Sequence, residues 1–166
     1  MPRKRFAVML AAVLLGALPF ALNAQELITA KVLSLDLANA MAQAALAACR
    51  ANGDHVVVTV LDERGMVKVM LRDDSTGPQS VDTSRRKAFT ALAFRGPSSE
   101  QAKAWENQKN PNIGPDRVAL AGGVPVKAGN DVIGAIGVAG SRSLDGGSKD
   151  EACAQAGVNK YASKLK

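Results

Sequence analysis

The chain has 166 residues, of which 47% are hydrophobic and 22% are charged, and its formal net charge is +6. This length favours one domain with one hydrophobic core. Three basic residues lie in the first five positions, and without them 18 basic residues face 15 acidic ones, a net charge of +3. A mild excess spread along the chain is not the footprint of a nucleic-acid-binding protein, so that class is disfavoured.

The first 24 residues follow the plan of a secretory signal peptide. A basic start precedes an apolar run from Phe6 to Leu22, and Ala24 fits a cleavage site. The alternative is a membrane anchor, but Pro19 interrupts the run and its roughly 17 residues are short for a span. We therefore expect residues 1–24 to be removed on export, which leaves a domain of residues 25–166, periplasmic or secreted, without a membrane span.

The first half of this domain reads as a helix followed by two strands. Apolar residues at spacings of three and four predict a helix over 34–51 with Ser34 as its N-cap. Apolar and β-branched residues predict a strand over 55–61 and a second over 66–72, joined as a hairpin. The first strand is apolar on both faces and is therefore expected at the centre of the sheet. Met66 and Met70 are predicted to fill the core.

The second half adds helices and another hairpin. Ser98 and Gln101 have the spacing of a capping box and predict a short helix that carries Trp105. The remaining predicted elements are helices over 80–95 and 148–164 and strands over 118–127 and 131–139. Hairpin-connected strands with helices beside them predict a single α+β domain, in which helices flank a central antiparallel sheet.

Two cysteines remain after export, Cys49 and Cys153. Cys49 is near the end of the first predicted helix and Cys153 is near the start of the last. These positions come level if the two helices pack antiparallel on one sheet face, and an oxidising compartment permits a disulfide. A disulfide is our prediction, and two buried thiols are the alternative.

Catalytic machinery is not evident. His55 is the single histidine, so any triad or two-histidine metal site would have to include it. A solvated or hydrogen-bonded histidine is the simpler interpretation, and a haem axial ligand is the other. No nucleophile or acid/base pair is indicated. We therefore assign no catalytic residue, leave the metal ligand open with His55 as a candidate, and expect binding rather than catalysis.

A basic helix and a glycine-rich strand are the features that suggest a ligand. Residues 85–87 are Arg-Arg-Lys, followed by Phe89 and Phe94, whereas residues 120–126 and 132–140 are rich in glycine. Cations beside aromatic side chains, with a backbone that another group can approach closely, suggest a site for a flat anionic ligand. A solvated basic turn and a packing strand are the alternatives.

In order and spacing, these segments resemble those of the GlcG/HbpS family, also called the DUF336 domain. The resemblance is carried by residues 58–62 with Gly65, Arg72-Asp73, residues 86–91, residues 120–125 and residues 132–140, and it covers almost all of the mature chain. It implies a compact α+β fold layered like profilin, a homo-oligomer, and haem as the cofactor of an extracytoplasmic member.

Under this resemblance the haem site would be built from the basic helix, the aromatic residues and the glycines. Arg86 or Lys87 would meet the propionates, because cations suit carboxylates. Apolar rings suit the macrocycle. The full set of expected cofactor-binding residues is Arg86, Lys87, Phe89, Thr90, Phe94, Trp105, Gly122 and Gly123. The alternatives are an accessory protein or enzyme of a periplasmic organic-acid or alcohol oxidation system, which would bind a small organic acid in the same pocket, and a purely structural oligomer.

Overall fold

The computed structural model describes residues 29–106, 108, 113–142 and 146–166, so the expected signal peptide lies outside the described residues. The elements are α1 (Leu35–Ala51), β1 (Val57–Asp62), β2 (Val67–Arg72), α2 (Gln79–Phe94), α3 (Ser98–Glu106), β3 (Gly123–Ala128), β4 (Asp131–Ala139), α4 (Ser148–Lys160) and a final 3₁₀ turn (Ala162–Lys164). The predicted order of helices and strands is confirmed. In the described part of the chain, no helix has the length and apolar character needed to cross a membrane.

Four antiparallel strands form one sheet in the order β2-β1-β4-β3. Both predicted hairpins and the central place of β1 are confirmed. The prediction that Met66 and Met70 fill the core is wrong, because Met66 is 65% exposed and Met70 is 37% exposed. Strand β2 is at the edge, and α2 packs on the other three strands, so one face of β2 is left open.

Helices cover both faces of the sheet. On one face, α1 and α4 pack together over the main core, which includes Val58, Val60 and Ile136. On the other, α2 lies over a smaller cluster. A disulfide between Cys49 and Cys153 joins α1 to α4, with their Cα atoms 5.5 Å apart. The predicted pairing, and the helix arrangement from which it was argued, are confirmed.

Glycines let α2 lie directly on the sheet. A Cβ atom at Gly137 of β4 would lie 2.6 Å from the backbone nitrogen of Ala88, and one at Gly123 of β3 would lie 2.6 Å from the backbone carbonyl carbon of Lys87. Both distances are shorter than any real Cβ contact allows. The group that approaches these two glycines is therefore the backbone of α2, as the packing interpretation expected.

The start of α3 differs from its prediction. Ser98 is the first residue of the helix rather than its N-cap. Its hydroxyl donates to the Leu120 carbonyl and accepts from the Gly123 N–H, both at 2.8 Å. The predicted capping box is therefore wrong: the Ser98 hydroxyl bonds to the chain that enters β3 and does not cap α3. The same chain lies outside the sheet, so β3 begins five residues later than predicted, at Gly123 instead of residue 118.

Candidate functional site

A cavity of about 860 Å³ lies between α3, the chain before β3 and the first turns of α4. More of its wall is apolar than polar, and three charged side chains also line it. The lining residues are Ser99, Ala102, Lys103, Trp105, Glu106, Ala119, Leu120, Ala121, Gly146, Ser148, Glu151, Ala152 and Gln155. We call it the Trp105 cavity.

Trp105 is held by an aromatic contact from α2. Its ring meets the Phe94 ring edge to face, with centroids 5.4 Å apart and planes at 85°, which is a favoured arrangement of two aromatic rings. The Arg117 guanidinium lies 5.7 Å from the centroid of Phe94. Trp105 is 8% exposed. These contacts fix the indole at the wall of the cavity.

Glu151 holds a second wall in place. One carboxylate oxygen accepts from the Ser99 hydroxyl at 2.6 Å, and the other accepts from the backbone N–H groups of Ser99 and Gly122 at 3.1 and 3.2 Å. The Ala121 N–H donates to the Gly146 carbonyl at 3.0 Å. Glu151 therefore joins α4, α3 and the chain before β3, and both of its oxygens are already engaged.

Arg86 and Thr90 hold the same chain against α2. The Arg86 Nη2 donates to the Arg117 carbonyl at 2.6 Å. The Thr90 hydroxyl accepts from the Val118 N–H at 3.0 Å and donates to the Arg86 carbonyl at 2.9 Å. The Arg86 Nε is buried without a hydrogen-bond partner. In the described structure these two residues position the polypeptide that leads into the Trp105 cavity.

Lys87 is paired inside the protein. Its Nζ lies 2.6 Å from the Oδ2 of Asp150, and both side chains are almost fully buried. A Cβ atom at Gly122 or Gly147 would lie 2.8 or 2.9 Å from this Nζ, so both glycines leave room for the lysine. Lys87 thus reaches from α2 to the first turn of α4.

The expected cofactor-binding residues are distributed over several places. Trp105 lines the large cavity and Phe94 contacts Trp105, whereas Lys87 lines a smaller cavity. Phe89 packs beside the cluster of Leu61 and Ala135. The described cavities are not lined by the remaining five: Arg86, Phe89, Thr90, Gly122 and Gly123.

Sequence reasoning missed Lys103 and Glu151 and named Leu120 only within the glycine-rich segment 120–126. Ala102 shares a face of α3 with Trp105 by three-residue spacing, so this neighbour could have been found from the sequence. Glu151 comes from a distant part of the chain and carries no local signal.

His55 lies elsewhere and is hydrogen-bonded. Its Nδ1 is 3.1 Å from the Oδ2 of Asp73, which also accepts from the Nε of Arg50 at 2.9 Å. The second Asp73 oxygen accepts from the Nη2 of Arg50 at 2.6 Å. These bonds from Arg50 hold the pKa of Asp73 well below its usual range. Among the described residues, no group of three or more His, Cys, Asp or Glu side chains is arranged to hold a metal ion.

Residues 33–159 match the family model described as "Haem degrading protein HbpS-like". The chain belongs to the HbpS-like family. The crystal structure of HbpS is 41% identical, covers 81% of this chain and 94% of its own, and superposes with a TM-score of 0.75. A double mutant of Streptomyces reticuli HbpS is 40% identical, with 87% and 97% coverage and the same TM-score. Protein GlcG of Escherichia coli is 30% identical over 66% of this chain and 83% of its own.

The HbpS-like family membership confirms the resemblance and the α+β fold drawn from the sequence. The segments that carried the resemblance have identifiable structural tasks. Leu120 and Ala121 form part of the Trp105 cavity wall, Gly123 begins β3, and Gly137 receives α2.

Proposed function

We propose that this HbpS-like protein is an exported haem-binding protein whose haem lies in the Trp105 cavity. The observation that carries the proposal is the cavity itself, which has a volume of about 860 Å³ and is lined by an indole, aliphatic side chains and a smaller number of polar and charged groups. Ligand cavities span roughly 300–1,000 Å³ and are lined mainly by apolar groups with a few polar ones. The family description, which names haem, supports the same ligand.

The lining residues fit the organic part of haem. Trp105, Leu120 and the alanines of α3 and α4 suit the macrocycle, and the Lys103 ammonium suits a propionate. The described lining of the cavity has no His, Cys, Met or Tyr, which are the usual axial ligands. His55 lines the other cavity, so we assign no iron ligand. When bound, haem would supply an iron centre that can exchange electrons or oxygen ligands.

Export is part of the proposal. The disulfide between Cys49 and Cys153 supports it, because disulfides persist in oxidising compartments. The expected signal peptide would direct the chain to the export machinery. Expression of the full chain in a bacterial host, followed by fractionation and intact-mass measurement, tests this part. We expect a mature form that lacks about 24 residues in the periplasm or medium; full-length protein in the cytoplasm would overturn it.

Haemin titration of the oxidised mature protein tests the ligand. We expect a Soret shift that saturates at one haem per chain, together with quenching of tryptophan fluorescence. Trp105 is the single tryptophan of the chain, so its quenching is a second readout of haem binding. Energy transfer to haem acts across a domain of this size, so quenching does not locate the site. The absence of both signals would overturn haem binding.

A pair of matched variants tests the location. Ala152 lines the cavity and Ala156 does not, although both are exposed residues of α4. We expect Ala152→Phe to block the Soret shift by occupying the cavity, and Ala156→Phe to leave it unchanged. Circular dichroism confirms that both variants fold. Equal haem affinity of the two variants would contradict the proposed location.

The homo-oligomer implied by the family also remains a prediction. Met66 and Val67 expose apolar surface along edge strand β2, which suits contact with a second copy. Light scattering of the wild type and of Met66→Glu/Val67→Lys checks it. We expect a multimer that dissociates in the double variant; a monomeric wild type would contradict it.

A further inference from the structure

A second cavity, of about 340 Å³, lies between the end of β4, the loop after β2 and the start of α2. Its lining includes His55, Thr76, Ser80, Lys87, Ser141 and Arg142. We call it the Arg142 cavity. It is less than half as large as the Trp105 cavity, and its lining is mostly polar.

The charged groups of the Arg142 cavity are all cationic. Its described lining contains Lys87 and Arg142 but no Asp or Glu. Asp150 neutralises Lys87, whereas the described structure gives the Arg142 guanidinium no hydrogen bond or ion pair. Arg142 is exposed, and its backbone N–H donates to the Oδ1 of Asp54, whose Oδ2 is buried without a hydrogen-bond partner. A carboxylate therefore lies beside the cavity, and Arg142 is the cation of the lining whose side chain has no described partner.

His55 contributes a fixed imidazole to the same cavity. Asp73 is ionised in its pair with Arg50, and an ionised carboxylate can accept hydrogen bonds but cannot donate one. The Nδ1 of His55 is therefore the donor in their contact. Because Arg50 already balances the charge of Asp73, this contact brings no net negative charge to the cavity. This bond orients the imidazole ring and does not involve its Nε2 atom.

The start of α2 adds a favourable field for an anion. The helix runs for 16 residues from Gln79, and Gln79 and Ser80 line the cavity. Its N-cap is Pro78, which supplies no side-chain hydrogen bond to the first turn. The N-terminal end of a helix carries partial positive charge and binds anions.

Two hydroxyls of the lining are buried without a partner. The Oγ1 of Thr76 and the Oγ of Ser141 are inaccessible and have no hydrogen bond, and Thr76 is 4% exposed. Buried polar groups are nearly always hydrogen-bonded, so such pairs of orphaned hydroxyls need an explanation. Both residues line the cavity, so rotation of either hydroxyl toward the cavity would let it donate to the oxygen atoms of a ligand.

We propose that the Arg142 cavity binds a small anion whose charge is carried on oxygen atoms, either a short organic carboxylate or an inorganic oxyanion. The guanidinium of Arg142 matches two such oxygens in parallel hydrogen bonds. The hydroxyls of Thr76 and Ser141 are further candidate donors. The first turn of α2 contributes partial positive charge and no free donors at Ser80 and Val81, whose N–H groups already donate to the Gly77 and Pro78 carbonyls. This site is separate from the Trp105 cavity and does not depend on haem binding.

Calorimetric titration with malonate and with phosphate, at constant ionic strength and with chloride as reference, tests the proposal. We expect saturable binding of one of the two probes, weakened at least tenfold by Arg142→Ala and several-fold by Thr76→Val. Arg64→Ala is the matched control, because Arg64 is 83% exposed and lies at the hairpin turn outside the described cavities. The control should bind as the wild type does.

The outcomes separate the sources and the sites. Tighter binding of malonate identifies an organic acid, and tighter binding of phosphate identifies an inorganic or phosphoryl group. Backbone amide shifts of Gln79 and Ser80 during the titration would place the anion at the start of α2. The absence of saturable binding, or equal losses in Arg142→Ala and Arg64→Ala, would overturn the proposal. Haemin titration of Arg142→Ala should match the wild type, so failure of one proposal leaves the other intact.

Discussion

Lys87 and Asp150 form a buried ion pair that joins helices on opposite faces of the sheet. Their Nζ and Oδ2 atoms are 2.6 Å apart, and the side chains are 3% and 5% exposed. The other Asp150 oxygen accepts from the Ser141 N–H at 3.0 Å, just beyond the end of β4. The pair thus links α2, α4 and the chain that leaves β4, between the Trp105 and Arg142 cavities.

Removal of one partner of this pair should be costly. In Lys87→Met the Asp150 carboxylate stays buried without its counter-ion, and such a loss costs about 3–5 kcal/mol. Urea unfolding at pH 7 measures the free energy of unfolding. We expect Lys87→Met to unfold at markedly lower urea than the wild type, with circular dichroism as the readout.

The double variant Lys87→Met/Asp150→Asn separates charge from packing. It leaves no charge at positions 87 and 150 and keeps a group that accepts from the Ser141 N–H. We therefore expect it to be less destabilised than the sum of the two single variants. If the losses of unfolding free energy in the two single variants add up to the loss in the double variant, the ion pair is not their common cause.

The sequence predicted the features that depend on local pattern, and it missed those that depend on where distant segments meet. The spacing of α1, the apolar faces of β1 and the positions of the cysteines were sufficient for the elements and the disulfide. Lys87 lies within a basic run, and nothing near it in sequence reveals Asp150, 63 residues away. Lys87, which was expected to meet a ligand, is therefore paired with Asp150 inside the protein.

The same limit applies to the large cavity. Trp105 could be selected because large aromatic side chains commonly line ligand sites. Its facing wall, residues 119–121, was predicted as strand from its apolar residues. Side-chain bonds from Ser98 and Glu151 hold that wall outside the sheet, and no local pattern encodes them.

Gly137 should tolerate no side chain. A Cβ atom there would lie 2.6 Å from the Ala88 nitrogen and 2.9 Å from the Ala88 Cβ, so Gly137→Ala must push α2 off the sheet. We expect a loss of about 3 kcal/mol or more in the free energy of unfolding. Gly53→Ala is the control: its φ is +73°, but nothing lies within 4 Å of the added atom, so only a backbone cost of about 1 kcal/mol should appear. Equal losses would refute the close approach of α2.

The disulfide should contribute strongly to stability. Cys49 and Cys153 are 104 residues apart, and the chain-entropy model assigns about 4–5 kcal/mol to a loop of that length. Replacement of both by alanine should lower the urea midpoint and raise the dependence of the unfolding free energy on urea, because the unfolded chain becomes less compact. A reducing agent should reproduce the change in the wild type and have no effect on the double variant. A double variant as stable as the oxidised wild type would contradict this prediction.

Asp73 should make stability dependent on pH in the acidic range. The hydrogen bonds from the Arg50 guanidinium hold the pKa of Asp73 below the value of about 4 that it has in an unfolded chain. A group whose pKa is depressed by folding contributes stability above its unfolded pKa, and the contribution is lost as pH falls toward the folded pKa. The stability that Asp73 supplies should therefore be complete at pH 5–7 and decline below about pH 4.

Urea unfolding of the wild type and of Asp73→Asn across this range checks the sign. We expect the variant to be less stable at pH 7, because Arg50 and His55 lose their anionic partner, and the difference should narrow below pH 4. Asp82→Asn is the control, since Asp82 is exposed and its pairing with Arg85 at 3.2 Å is on the surface. Exposed pairs contribute little, so this variant should follow the wild type at every pH. A gap between Asp73→Asn and the wild type that is the same at pH 3 and pH 7 would show that the residue acts through its shape and not through its charge.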